Sequence, residues 1–189
     1  MTRLLPVAVL LLGALLSTMA GAEPNPQVLI KTNAGEIRLE LFPAESPQAV
    51  ANFLAYIDSG HYVGTVFHRV IPNFMIQGGG FTVEMIEKPV RDPVPNESGN
   101  HLHNERGTIA MARTEDPDSA TAQFFINVRS NLRLDFDYVS RKPGYTVFGK
   151  VIGGMDVVDG IALVETRTVA AYDDVPLNPI IIEKAERIE

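Results

Sequence analysis

The chain has 189 residues, of which 46% are hydrophobic and 21% charged, and its formal net charge is −7. This is an ordinary composition for a globular domain, and the length suits one domain with a sizeable core. Because the chain is acidic, we expect no nucleic-acid partner. No cysteine occurs, which excludes disulfides, thiolate metal sites and a lipid anchor on cysteine.

An export signal is predicted at the start of the chain. Arg3 supplies a minimal positive region, and an apolar run follows from residue 4 to residue 16. Ala20-Gly21-Ala22 then gives the small-x-small pattern at which signal peptides are cleaved. The apolar run is shorter than the ~20 residues that span a bilayer, so we expect no stable membrane insertion.

These features divide the chain into three predicted parts. Residues 1–22 form the signal peptide, residues 23–26 a short N-terminal arm, and residues 27–189 a single domain. The processed protein is expected outside the cytoplasm, in the periplasm if the source cell has two membranes. We expect it to be a monomer.

A β-hairpin and then an amphipathic helix are predicted next. Apolar residues alternate on both sides of Asn33-Ala34-Gly35 within residues 27–42, which is typical of a hairpin with one buried face. Ser46 and the proline after it mark the start of a helix. Apolar residues at helical spacing follow from Val50, and Gly60 ends the helix.

Short strand-like runs make up most of the remaining chain. They are Val66–Ile71, Phe74–Gln77, Thr108–Ala112, Gln123–Val128, Thr146–Val151, Leu163–Val169 and Ile180–Ile188. A second, shorter helix is predicted after Gly154, with Val157, Val158 and Ile161 on its inner side. Many short strands with two separated helices favour a mainly antiparallel β-barrel over alternating β/α units.

The segment from Val66 to Gly80 carries the strongest chemical signal. Arg69 lies among β-branched and aromatic residues, where an unpaired charge is costly to hold. A phenylalanine, a methionine and Gln77 follow within eight residues. Such a site can hold a small apolar ring while hydrogen bonds act on the amide attached to it. Hydrolysis is disfavoured, because no nucleophile stands beside a base.

Several long motifs occur in a fixed order along the chain. They are Phe67-His68-Arg69-Val70-Ile71-Pro72, Phe74-Met75-Ile76-Gln77-Gly78-Gly79, Gly107-Thr108-Ile109-Ala110-Met111-Ala112, Gln123-Phe124-Phe125-Ile126-Asn127, Val147-Phe148-Gly149-Lys150-Val151 and Gly154-Met155-Asp156-Val157-Val158. In this order and spacing they resemble the cyclophilin family of peptidyl-prolyl cis–trans isomerases. The resemblance covers essentially all of residues 27–189. With the predicted signal, the chain is similar to the exported, periplasmic bacterial type.

The resemblance implies both a fold and a function. The fold is a closed eight-stranded antiparallel β-barrel capped by two α-helices, with the active groove on its outer face. The function is acceleration of rotation about X–Pro peptide bonds in proline-containing segments of unfolded or folding proteins. It requires no cofactor and no metal. For an exported protein, the implied role is to assist the folding of other exported proteins.

The resemblance also implies roles for ten residues. Arg69 would be catalytic. The substrate-binding residues would be Phe74, Met75, Gln77, Ala112, Arg113, Gln123, Phe125, Leu134 and Tyr145. The two phenylalanines, the methionine and the leucine would hold the proline ring, and the glutamines would bind the substrate backbone. The strand edge at residues 112–113 would supply main-chain hydrogen bonds.

Three positions depart from the family's pattern. Arg133 stands where many eukaryotic members have a tryptophan, Tyr145 replaces a histidine near the end of the groove, and Arg113 replaces an asparagine. The Tyr145 hydroxyl can still donate a hydrogen bond. The change at Arg113 matters little if that position acts through its backbone.

Two side chains near these motifs are expected to face the interior. His68 alternates with Arg69, and Phe124 alternates with Phe125, so each should point away from the groove.

A metal site is a further alternative, since His101 and His103 lie two residues apart with glutamates nearby.

Two other function classes are alternatives to the isomerase. A peptide-binding module or holdase could use the same groove without turnover, but a pure binder has no use for a buried cation. A small-molecule barrel of the lipocalin sort needs a hollow interior, which the large residues expected to point inward disfavour.

Overall fold

A computed structural model describes residues 24–188 as an eight-stranded sheet, a two-stranded hairpin, two α-helices and a short 3₁₀ turn. In chain order the strands are β1 Gln27–Thr32, β2 Gly35–Leu41, β3 Phe67–Ile71, β4 Met75–Gly78, β5 Thr108–Met111, β6 Phe124–Asn127, β7 Val147–Gly153, β8 Thr166–Val169, β9 Tyr172–Pro176 and β10 Ile182–Ile188. The helices are α1 Pro47–Asp58 and α2 Met155–Ala162, and the 3₁₀ turn is Leu132–Leu134. The predicted signal peptide, Glu23 and Glu189 lie outside the described residues.

The large sheet is antiparallel throughout and strongly curled. Its strand order is β10-β1-β2-β7-β5-β6-β4-β3, so β10 and β3 are its edges. Within residues 24–188 these edges meet only near their starts, where Val66 and Ile181 form an isolated bridge. Because β10 forms its ladder with β1 and β3 forms its ladder with β4, no ladder joins the two edges. The prediction of a closed barrel is therefore wrong, and the sheet is a curled half-barrel.

The first hairpin has the predicted alternation. Val28 pairs with Leu39 and Ile30 pairs with Ile37, and all four side chains are fully buried. Their charged neighbours face solvent, since successive residues of a strand point to opposite faces. The turn falls at residues 33–34, as the sequence predicts.

Helix α1 begins at the predicted residue but is capped differently. Ser46 precedes it, yet its hydroxyl donates to the Val147 carbonyl at 2.7 Å instead of capping the helix. The Glu97 carboxylate accepts hydrogen bonds from the N–H groups of Gln48 and Ala49 at 3.1 and 2.9 Å. A carboxylate at a helix N-terminus is stabilised by the helix dipole. The long loop after β4 thus returns to fix the helix start.

Large side chains fill the interior. Phe53 of α1 contacts Tyr62, Phe124 and Phe148, with ring centroids 5.2, 5.6 and 5.1 Å apart. The prediction that Phe124 faces inward is confirmed, since it is fully buried in this cluster. The close packing of these rings is inconsistent with a lipocalin-type ligand cavity.

A β-bulge changes the phase of β3. Phe67 pairs with Gly78 and Arg69 pairs with Gln77, so β3 carries one extra residue at His68. Regular alternation would place Phe67 and Arg69 on one face, but the bulge turns Phe67 into the interior and leaves Arg69 outside. His68 is buried, as predicted, but it lies at the edge of the outer groove and not in the interior core, because the bulge changes its direction.

Helix α2 lies at the predicted place, with Val158 and Ile161 buried. It packs near the β1–β2 turn, where a Cβ added to Gly35 would lie 2.6 Å from Val157 Cγ2. Between α2 and β10 the structure adds the β8–β9 hairpin, and its second strand lies against β3. Strand β9 was absent from the sequence prediction.

Candidate active site

One row of residues crosses four strands on the outer face of the sheet. Arg69 of β3 lies opposite Gln77 of β4, Gln77 lies opposite Phe125 of β6, and Phe125 lies opposite Ala110 of β5. Directly paired residues point to the same side of a sheet. The register therefore places a cation, an amide and an aromatic ring side by side.

An apolar cluster forms the floor beside this row. Met75 and Phe125 are 2% and 4% exposed, although they lie outside the interior core. Val147 and two alanines complete the cluster, and Phe74, Leu134 and Tyr145 pack at its edge. The rings of Phe125 and Tyr145 meet edge to face at 5.5 Å. This floor is apolar and its core residues are buried, so it can hold a small apolar ring.

The floor and the row belong to a single groove of about 500 Å³. All ten residues predicted from the sequence line it: Arg69, Phe74, Met75, Gln77, Ala112, Arg113, Gln123, Phe125, Leu134 and Tyr145. Sequence reasoning missed six other lining residues: His68, Phe81, Ala171, Tyr172, Asp173 and Asp174. The last four come from the β8–β9 hairpin, which forms one wall.

The side-chain amides of Gln77 and Gln123 lie between Arg69 and the strand edge at residues 112–113. Gln77 Nε2 donates to Gln123 Oε1 at 3.0 Å. Gly80 makes room for this pair, since a Cβ there would lie 2.5 Å from Gln123 Cγ. The Ala112 N–H already donates to the Gln123 carbonyl at 2.9 Å. A peptide at this edge would therefore use the Ala112 carbonyl or the Arg113 N–H.

The groove wall formed by the β8–β9 hairpin carries an acid beside Arg69. Asp174 Oδ2 lies 4.0 Å from Arg69 Nε, with the two side chains 40% and 43% exposed. The expectation of a buried cation is therefore wrong, because the groove leaves the Arg69 side chain partly open to solvent. Asp174 has φ +59°, a left-handed backbone that few residues other than glycine adopt. Strand β9 holds two consecutive acids and ends in proline, which is unlike a typical strand. The sequence pattern therefore gave no signal for this wall.

His68 is buried at the edge of the groove. Its side chain packs edge to face on Phe81 at 4.7 Å, and Nδ1 has no hydrogen-bond partner within residues 24–188. Burial lowers the pKa of His68 to about 4, and the neighbouring Arg69 cation acts in the same direction. His68 is therefore neutral at physiological pH, and the cation of the site is Arg69.

Comparisons with known proteins identify the family. The family model described as cyclophilin type peptidyl-prolyl cis-trans isomerase/CLD matches residues 27–187. A peptidyl-prolyl cis-trans isomerase of Streptomyces antibioticus is 54% identical over 162 residues, which is 84% of this chain and 96% of that protein. Isomerase A of Dickeya dadantii is 51% identical over 168 residues, covering 89% and 87% of the two chains.

This chain is a cyclophilin-type peptidyl-prolyl cis–trans isomerase. Isomerase B of Escherichia coli, 50% identical over 157 residues, covers 82% of this chain and 96% of its own. A Cryptosporidium parvum cyclophilin crystal structure matches with a TM-score of 0.70 and 28% identity, over 87% of this chain and 98% of that chain. Cyclophilins act on proline-containing peptides, so the substrate class follows from the family.

Two arginines distinguish the groove of this cyclophilin. The Arg113 guanidinium donates from Nε to the Gly144 carbonyl and from Nη2 to the Pro143 carbonyl, each at 3.1 Å. Its Cζ also lies 4.5 Å from the centre of the Tyr145 ring. Arg113 therefore stabilises the loop that carries Tyr145. Arg133 is exposed at the rim, with its Cζ 5.0 Å from the centre of the Phe74 ring.

A buried amide network supports the cyclophilin groove from behind. Asn131 Nδ2 donates to the Phe74 carbonyl at 2.9 Å and to Asn127 Oδ1 at 2.7 Å. Asn127 in turn donates to Asn104, whose backbone and side-chain N–H groups donate to Asp135 Oδ1. This hydrogen-bond network connects the 3₁₀ turn and β6 to Phe74, at the edge of the floor.

The metal alternative is not supported by the positions of its residues. His103 Nδ1 lies 2.8 Å from Asp135, His101 stacks on Tyr138 at 5.1 Å, and Glu97 caps α1. Within residues 24–188, no three His, Asp or Glu side chains are grouped as metal ligands. The same part of the chain contains no helix long and apolar enough to cross a membrane.

Proposed function

We propose that Arg69 catalyses X–Pro isomerisation by hydrogen bonding to the prolyl nitrogen when the peptide bond is twisted. The observation that carries this proposal is the cross-strand row in which Arg69, Gln77 and Phe125 lie side by side in one groove. It supplies a donor, a backbone-binding amide and an apolar seat on adjacent strands of one groove.

The chemistry follows from amide resonance. Resonance sets a rotational barrier of ~18–20 kcal/mol, so uncatalysed exchange takes roughly tens to hundreds of seconds. Twisting the C–N bond localises the lone pair on nitrogen and makes that atom a better acceptor. A donor that bonds this nitrogen only in the twisted state stabilises the transition state selectively. Arg69 suits this task because a guanidinium stays charged and offers a rigid fork of N–H groups.

The apolar floor contributes in two ways. It seats the proline ring against Phe125 and Met75, with Phe74 and Leu134 at the edge. It also weakens the charge-separated planar amide and strengthens the hydrogen bonds that remain. Reducing a half-time of minutes to milliseconds is about five decades, so all effects together must supply roughly 7 kcal/mol. A second crystal structure of a Cryptosporidium parvum cyclophilin, 28% identical, was determined in the presence of the dipeptide Ala-Pro, which fits this substrate.

The proposal is tested by a protease-coupled assay of X–Pro peptides with the Arg69→Ala and Arg69→Lys variants. Arg69→Ala should lose more than about 90% of turnover, a loss above ~1.4 kcal/mol. Arg69→Lys should be nearly as damaging, since an ammonium lacks the planar fork. Lys150→Ala, which removes an exposed cation outside the groove, is the control. Turnover by Arg69→Ala within tenfold of wild type would contradict the assigned mechanism.

We also propose that this isomerase is exported and assists the folding of other exported proteins. The support is the apolar run followed by Ala20-Gly21-Ala22, with processing predicted before Glu23. N-terminal sequencing of the fractionated protein should show residue 23 at or near the start, in the periplasmic fraction of a two-membrane cell. Retention of Met1, or recovery in the membrane pellet, would contradict export.

A folding role requires action on a protein chain as well as on a peptide. The isomerase should accelerate the proline-limited phase of refolding of a disulfide-free test protein, and Arg69→Ala should not.

Activity should survive dialysis against a chelator, because the proposed chemistry uses no metal. Light scattering on the eluting protein should give the mass of a monomer. A dimer mass, or acceleration by Arg69→Ala, would contradict these proposals.

A further inference from the structure

The β8–β9 hairpin places one carboxylate next to the proposed catalytic cation. Asp174 Oδ2 lies 4.0 Å from Arg69 Nε. Within residues 24–188, Asp174 is the one acid in ion-pair contact with Arg69. The neighbouring amide of Gln77 is already bonded to Gln123. Asp174 is thus the polar group placed to influence where the guanidinium lies.

Arg69 needs such an influence because its side chain is 43% exposed. An exposed arginine samples many rotamers, and this freedom must be lost when the guanidinium bonds the prolyl nitrogen. A nearby carboxylate favours the Arg69 rotamers in which Nε lies close to Asp174. The two terminal nitrogens then remain available to the groove. At 4.0 Å the pair is an electrostatic contact, which biases the guanidinium without locking it.

The backbone around Asp174 indicates that this placement is built into the hairpin. Asp174 has φ +59°, and strained conformations of this kind persist only where the surroundings fix them. The hairpin register shifts between Arg167 and Val169, and Thr168 Oγ1 donates to Asp173 Oδ1 at 2.8 Å. Strand β9 also lies against β3, which carries Arg69. The adjacent Asp173 is held by Thr168, whereas the carboxylate of Asp174 faces the cation.

We propose that Asp174 is a positioning residue that orients Arg69 for the transition state. This inference rests on the proposed role of Arg69. Since Asp174 acts through the arginine and not through the substrate, its loss should lower kcat and leave KM nearly unchanged. Because the pair is exposed and electrostatic, the effect should be modest and sensitive to salt.

Asp174→Asn and Asp173→Asn form a matched pair for the test. Both remove one negative charge from the same wall of the groove, and asparagine tolerates a left-handed backbone. With a capped, uncharged Ala-Pro peptide, Asp174→Asn should reduce kcat about threefold to sevenfold and change KM by less than about twofold. Asp173→Asn removes the same charge from a carboxylate that is held by Thr168, so it should lower kcat by a clearly smaller factor than Asp174→Asn. Equal effects of the two variants, or a kcat in Asp174→Asn at or above wild type, would overturn the proposal.

Two further readouts separate positioning from a structural role. The ¹⁵N order parameter of the Arg69 Nε–Hε group should fall in Asp174→Asn and stay unchanged in Asp173→Asn. Raising salt from about 0.05 M to about 1 M shortens the screening length from roughly 14 Å to 3 Å. The wild-type kcat should then approach that of Asp174→Asn, whose own kcat should respond little. An unchanged order parameter in Asp174→Asn would overturn the positioning role.

Arg69→Ala, assayed alongside, separates a failure of the proposed Arg69 mechanism from a failure of the positioning role of Asp174. If Arg69→Ala retains its activity, the proposed function is wrong and the inference is overturned with it. If Arg69→Ala is inactive but Asp174→Asn behaves like Asp173→Asn, only the positioning role is overturned.

Discussion

Neighbouring residues on one strand serve different purposes in this cyclophilin. Phe124 and Phe125 follow each other in β6, but Phe124 contacts the interior ring of Phe53 and Phe125 contacts Tyr145 of the groove. Successive side chains of a strand face opposite sides. The same substitution at the two positions should therefore affect stability and substrate binding in different proportions.

Phe125→Ala should raise KM and lower kcat, because it removes one wall of the proposed proline seat. Phe124→Ala should leave both constants of the folded enzyme within about twofold but reduce the free energy of unfolding by ~3–5 kcal/mol. Urea unfolding and peptide kinetics on both variants check this pair. An unchanged KM in Phe125→Ala would mean that the proline ring binds elsewhere.

At the scale of elements, the start of α2 depends on one glycine. Gly154 has φ +81°, and a Cβ added there would lie 2.0 Å from the Glu36 carbonyl oxygen. Gly154→Ala should reduce the free energy of unfolding by more than about 2 kcal/mol, from the left-handed strain and the backbone clash together. The measurement is urea unfolding followed by circular dichroism.

Gly160, inside the same helix, is the control. A Cβ at this position would meet no atom within 4 Å. Gly160→Ala should therefore raise the free energy of unfolding by about 0.5–1 kcal/mol, since alanine is the better helix former. Similar effects of the two substitutions would contradict the description of the α2 start.

The elements that sequence could predict are those in which one local pattern dominates. The first hairpin and α1 carry clear periods of 2 and 3.6 and lie where these periods predict. The bulge at His68 breaks the alternation of β3, but β3 contains no glycine or proline that would have indicated a bulge. The cap of α1 by Glu97 is a contact between distant parts of the chain. Neither feature follows from local sequence.

The family motifs predicted ten of the residues that line the groove, and the roles assigned to those residues stay predictions. All ten predicted residues line one groove because the motifs fall on adjacent strands β3 to β6 and on the loops beside them. The wall with Asp174 was missed because β9 lacks strand-like composition and lies beside β3 only in the folded chain. The open edge between β3 and β10 was missed for a similar reason, since ladder closure depends on long-range register.

For the whole molecule, buried histidine makes stability depend on pH. The pKa of His68 is lowered to about 4 in the folded state, against ~6.5 in the unfolded chain. Between these values the unfolded chain binds more protons, so stability is fully present above pH ~6.5 and falls as pH falls toward 4. Burial also lowers the pKa of His61, which acts in the same direction.

The free energy of unfolding should be about 2 kcal/mol lower at pH 5 than at pH 7 because of His68 alone. His68→Gln should remove most of this difference. His101→Gln, at an exposed position on the surface loop, should retain it. Urea unfolding at the two pH values measures the effect, and an unchanged difference in His68→Gln would show that another group controls it.

The central claim is that Arg69 stabilises the twisted amide more than it binds the ground-state peptide. Exchange-type NMR on an Ala-Pro peptide at saturating concentrations of wild type and Arg69→Ala measures binding and isomerisation in one sample. The proposed role of Arg69 predicts that Arg69→Ala binds the peptide within about threefold of the wild-type affinity, while exchange between the cis and trans forms of the peptide falls by more than tenfold. Exchange near the wild-type rate on the bound peptide would contradict it.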